Sequence, residues 1–91
     1  KLIVYITEFI NLMVYDNKRA YLMLDDNTRK KYSSNDDFKN QMMDIYNKLS
    51  TNIFGFSFKE VNGERVYNIV DDKQNKITIY EKNTMNYRIG Y

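Results

Sequence analysis

The sequence predicts an α+β domain, with N-terminal helices packed on a curved antiparallel sheet whose strands form a meander. Three observations predict it. Apolar residues recur at helical spacing as far as Leu49, and after Ser50 the period falls from about 3.6 to about 2. Asn62-Gly63 stands between two strand-like runs, and this pair favours a tight hairpin because both positions tolerate positive φ. The turns between successive strand-like runs are too short for the crossovers that parallel strands need.

The opening run, residues 2–15, carries Leu2, Ile6, Phe9, Ile10 and Met13 at helical spacing, with Thr7, Glu8 and Asn11 as a narrow polar stripe. It is too short to cross a bilayer, which takes about twenty apolar residues, and Glu8 interrupts it. A helix this apolar is expected to be a core helix covered on several sides, or else to carry a partner or dimer surface. Asp16-Asn17 then caps a second helix from Lys18 to about Asp25, with Ala20, Leu22 and Leu24 as its apolar residues. Residues 25–28 read as a turn or cap before a short helical piece around Arg29 to Tyr32.

Ser34 precedes Asp37 by three residues, a capping box with Asp in place of Glu. Phe38, Met42, Ile45 and Leu49 then predict one amphipathic helix over Asp36–Leu49. In the first strand Phe54, Phe56 and Phe58 alternate with Gly55 and Ser57, and the three rings are expected to meet the first and last helices. Return strands follow at Arg65–Val70, Lys76–Glu81 and Met85–Tyr91. The opposite face, with Ser57, Thr78 and Tyr80, is expected to stay wet or to meet a partner.

Residues 1–91 form a single unit, with no repeat, linker or low-complexity tract. An aromatic share of 15%, from nine Tyr and five Phe, argues against disorder. The net charge is only +2 and the signs interleave, so no nucleic-acid partner is expected. The one basic run, Arg29-Lys30-Lys31, reads as a solvated helix end.

The chain has no Cys and no His, which excludes disulfides, thiolate chemistry and Ser-His-Asp or Cys-His catalysis. The ligands of zinc sites are missing, and the Asp pairs at 25–26, 36–37 and 71–72 do not match calcium-loop spacing. Gly55, Gly63 and Gly90 are too scattered to cradle a phosphate. No catalytic residue, metal or cofactor is therefore expected. One chemistry stays open, proton transfer by a tyrosine beside a carboxylate, with Tyr21, Tyr46, Tyr67, Tyr80 and Tyr87 and with Glu8 and Glu60 as its candidates. Tyr is so frequent here that any pocket would contain one by chance.

Phe9-Ile10-Asn11-Leu12, Ala20-Tyr21-Leu22-Met23-Leu24-Asp25, Thr28-Arg29-Lys30-Lys31-Tyr32, Asp37-Phe38-Lys39 and the segment Ile79 to Tyr87 together resemble nuclear transport factor 2-like (cystatin-like roll) domains. The pattern looks most like extracytoplasmic domains of Gram-positive membrane-anchored proteins, found in cell-wall proteins and conjugative secretion machines. The richness in Lys, Asn, Ile and Tyr without Pro fits such a source, and the start at Lys1 within an apolar run leads one to expect an upstream signal or membrane anchor. The enzymatic motifs of that superfamily do not map onto this chain. The resemblance implies a non-catalytic scaffold or protein-interaction domain at the outer face of a bacterial membrane, with a protein partner or a homodimer. The alternative is a cone that binds a small hydrophobic ligand, lined by Phe9, Met13, Phe38, Met42, Phe54, Phe56 and Tyr67. An isomerase-like enzyme comes third.

Overall fold

Among the described residues of the computed structural model, 2–84 and 86–91, five helices precede a four-stranded sheet, as the α+β reading requires. Helix α1 (Leu2–Tyr15) buries Leu2, Tyr5, Ile6, Phe9 and Met13 along one stripe. It is covered on that side only: Ile3, Val4, Val14 and Tyr15 stay exposed on the other. Helix α2 (Asn17–Leu22) starts where the Asp16 carboxylate accepts the Arg19 N–H at 3.3 Å. It stops short of Asp25 because residues 23–25 leave the helix to bond to the sheet. Helix α3 (Asp26–Arg29) lies ahead of the expected piece, since Asp25 caps it by accepting the Thr28 N–H at 2.8 Å.

The single helix expected over 36–49 is two helices, α4 (Asn35–Asn40) and α5 (Met42–Lys48). They break at Gln41, whose N–H reaches both the Asp37 and Phe38 carbonyls at 3.1 Å and whose side chain donates to Asp37 at 3.0 Å. The ladder tightens there and turns, and Phe38, Ile45 and Leu49 all still reach the core. The capping box forms in a shifted version. Ser34 Oγ accepts the Asp37 N–H at 3.2 Å, while the Asp37 carboxylate accepts from Ser33, one residue earlier than the usual pattern.

The strands are β1 (Ile53–Val61), β2 (Glu64–Asp71), β3 (Lys76–Asn83) and β4 (Asn86–Gly90), antiparallel in sequence order. Met85, the expected first residue of the last strand, lies outside the described residues. Asn62 and Gly63 turn the first hairpin at φ 51° and 80°, the positive values the pair was expected to supply. Antiparallel partners share a face, so the register puts Tyr67 with Ile79, Ile69 with Ile77, and Ile79 with Ile89 on the side that meets the helices. These residues, with Phe9, Leu24 and Phe38, form the core. Each such side chain contributes roughly 1.5–3 kcal/mol on burial.

One carboxylate ties the helical half to the sheet. Asp71, 1% exposed, accepts hydrogen bonds from the backbone N–H groups of Ser50, Lys73 and Asn75 and from the Asn75 amide, at 2.7–3.0 Å. Burial raises its pKa, but these four bonds outweigh burial and hold it below the ordinary 3.8.

Candidate functional site

The two edges of the sheet are treated differently. At β4, Asp25 donates its N–H to the Ile89 carbonyl at 2.8 Å and Ile89 donates to the Met23 carbonyl at 2.9 Å, so the segment after α2 closes that edge. At the other side β1, nine residues long, pairs with β2 alone among the described residues. Val61 and Glu64 close a two-residue loop, so they bond to each other. By antiparallel alternation the backbone groups of Phe56, Phe58 and Glu60 then point outward.

The expectation that Phe54, Phe56 and Phe58 meet the helices is corrected. They are 84%, 59% and 57% exposed. Phe56 and Phe58 lie on the helix-facing side, opposite Ile69 and Tyr67, but β1 joins the core through Ile53 at its start, and the buried sheet residues of the core come from β2, β3 and β4. Tyr67 is their neighbouring ring, with centroids 6.3 Å from Phe56 and 5.6 Å from Phe58. Phe54 occupies an irregularity between Ile53 and Gly55 that shifts the register, which leaves its ring outside the sheet contacts. The result is an aromatic ridge beside an unpaired strand edge.

The residues expected to line a cone therefore separate into two groups. Phe9, Met13 and Phe38 are buried in the core, Tyr67 is buried at its margin, and Met42 is half-buried against it. Phe54 and Phe56 stand outside. Phe9 packs on Phe38 and Tyr91, and Phe38 also on Tyr21 and Tyr32, so these rings occupy the space between helices and sheet themselves.

The structure also brings a tyrosine and a carboxylate together twice. Tyr87 donates to Glu8 at 2.5 Å, a pairing of two candidates named from the sequence. Tyr5 donates to Glu81, a pair that sequence reasoning missed. A signal for it existed: Glu81 continues the inward alternation of Ile77 and Ile79, where an acid must find a donor. The two rings lie 4.2 Å apart. Burial, and then the bond to Glu81, push the Tyr5 hydroxyl from 10.0 up to about 12. Burial and the bond to Glu8 likewise raise Tyr87. Both hydroxyls are thus held protonated and directed at acids of the same chain. Tyr21, Tyr46, Tyr80 and Glu60 take no part in this cluster.

A second apolar surface runs along the uncovered side of α1, a shallow groove of about 430 Å³ that includes Ile3, Val4, Leu12 and Tyr15. No three acidic side chains among the described residues are placed to hold a metal ion, and no described helix is long and apolar enough to cross a membrane.

Compared with known proteins, the chain matches no family model, no curated protein and no solved structure.

Proposed function

We propose that this is a non-catalytic protein-interaction domain whose contact surface is the open edge of β1 with Phe54, Phe56 and Phe58. The observation that carries the reading is the contrast between the edges: β4 is closed by residues 23–25, while the outer edge of β1 has no strand partner among the described residues and stands beside three exposed rings. Long apolar edges invite strand addition, and folded proteins ordinarily blunt them. Gly55 to Phe58 carries no charge to do so. The filled core supports interaction over a ligand-binding cone, because the aromatic residues that would line the cone pack against one another. The tyrosine hydroxyls spend their protons on Glu8 and Glu81, which supports a structural role for them over proton transfer.

Within this reading the domain works at the outer face of a bacterial membrane, as part of an envelope or secretion-type assembly. That part rests on the resemblance to nuclear transport factor 2-like domains.

The test is affinity capture from bacterial envelope extracts with the natural chain and with a variant carrying Ser at positions 54, 56 and 58. The expected result is a set of proteins retained by the natural chain and lost by the variant, with circular dichroism showing both folded. Equal retention by the two would remove β1 as the contact surface.

A further inference from the structure

We infer that the hollow between Glu60, Arg65, Glu81 and Lys82 binds a free α-amino acid, its ammonium on the carboxylates and its carboxylate on the cations. The inference does not depend on the role proposed for the edge of β1.

The hollow has a volume of about 410 Å³, and Gly63, Asn83 and Thr84 complete its lining. That is within the roughly 300–1,000 Å³ of small-molecule sites. Strand register assembles it. Glu60 pairs with Arg65, and Arg65 with Glu81, so side chains of alternating sign stand in one row across β1, β2 and β3. The row is on the helix-facing side, in line with Tyr67 and Ile79. In a regular strand Lys82 would point to the face opposite Glu81. The register shifts between Glu81 and Asn83, however, and Lys82 lines the same hollow as Glu81. Irregularities of this kind re-aim side chains and are frequent beside functional sites.

The charges of the row do not close on one another. Among the described residues the ion pair is Arg88 with Glu64, whose positions alternate to the other face of the sheet. Glu81 is the member that asks for a ligand. It is 7% exposed, and Tyr5 donates to its Oε2. Among the described residues its Oε1 receives no hydrogen bond, yet it is not sealed off within the protein. A carboxylate held in this way is costly without a donor, and an ammonium group in the hollow would offset that cost. The Tyr67 hydroxyl already engages Arg65 and holds its pKa above the ordinary value, and a guanidinium has further N–H donors to offer.

The mixture of signs selects the ligand. A lone ammonium ion would be repelled by Arg65 and Lys82, and a lone carboxylate by Glu60 and Glu81. A molecule with both groups on one carbon satisfies both sets. Arg65 and Glu81 stand on strands about 4.8 Å apart, close enough to hold the two ends of so short a molecule.

An NMR titration of the backbone amides with glycine tests the assignment. Methylamine and acetate carry one of its charges each, and triglycine carries both far apart. Glycine is expected to give saturable shifts at residues 60–65 and 81–84. Methylamine, acetate and triglycine should each bind at least about tenfold more weakly, as the loss of one charge-assisted hydrogen bond implies. Arg65→Gln and Glu60→Gln change exposed positions, and each should weaken glycine by a similar factor while circular dichroism shows the fold intact. Glu81→Gln should abolish saturation. No saturable shift with glycine would overturn the inference, as would glycine binding that both exposed variants leave unchanged. Equal affinity for methylamine or acetate would overturn the requirement for both charges, and tighter binding of triglycine would overturn the free amino acid.

Discussion

Gly90 of β4 lies directly against the carboxylate of Asp25: a Cβ at position 90 would sit 2.7 Å from Asp25 Cγ and nearer still to its Oδ2. The approach is this close because residues 23–25 pair with β4, and the same carboxylate caps α3. Gly90→Ala is therefore expected to cost roughly 1–3 kcal/mol through overpacking, as the buried carboxylate would have to shift while it holds the Thr28 N–H. Urea unfolding would measure it. Asp25→Ala in the Gly90→Ala background should add less than it does alone, which a double-mutant cycle would read directly.

Asp71 gives a prediction in acid. Its folded pKa is below the ordinary 3.8, so its contribution is fully present above that value and is lost as the pH falls through the depressed one. Asp71→Asn should lower stability at neutral pH by about 1–3 kcal/mol, since an amide cannot accept all four hydrogen bonds. It should also flatten the loss of stability below pH 3.8, followed by thermal melts across the acid range.

Tyr5 works in the opposite direction. Its pKa rises from 10.0 to about 12, so the fold favours the protonated phenol. That stabilisation is complete below pH 10.0 and disappears as the pH rises through about 12. Tyr5→Phe should leave Glu81 without its phenol donor and cost about 1–3 kcal/mol at neutral pH. The variant should show a weaker fall in stability across the alkaline range, and its tyrosinate absorbance should lack a late-titrating group.

Two phenylalanines expected to line one cavity should behave as opposites. Phe9 is fully buried, and Phe9→Ala is expected to cost about 3–5 kcal/mol. Phe54 is 84% exposed, and Phe54→Ser should change stability by less than about 0.5 kcal/mol. Denaturant midpoints of the two variants would separate them at once.

Local chemistry made much of the fold legible. The Ser34 cap, the Asn62-Gly63 hairpin and the inward alternation of Ile77 and Ile79 each depend on neighbours within a few residues. Their spacing alone dictated the outcome. The break at Gln41 was not legible, because the Phe38–Met42–Ile45 pattern fits one helix or two shorter ones equally well. The exposure of Phe54, Phe56 and Phe58 was hidden for a different reason. Alternation shows that the two faces of a strand differ, but not whether the helices are broad enough to reach it. That depends on how α1 to α5 are laid over the sheet. The Tyr5–Glu81 pair, 76 residues apart in the chain, lies wholly in the tertiary structure.

The same separation orders the assembly of the molecule. The hairpins of the meander join residues close in sequence and can form early and quickly. Helix α1 has no such neighbour in the sheet: Tyr5 finds Glu81, and Glu8 finds Tyr87, only near the far end of the chain. On a ribosome, Leu2, Ile6, Phe9 and Met13 would emerge long before the strands they are to cover. Until then the nascent chain would present the part of this apolar helix that α2, α4 and α5 leave for the sheet, the kind of segment that holding chaperones bind. Closure would come last, in one step, when β3 and β4 arrive to receive it.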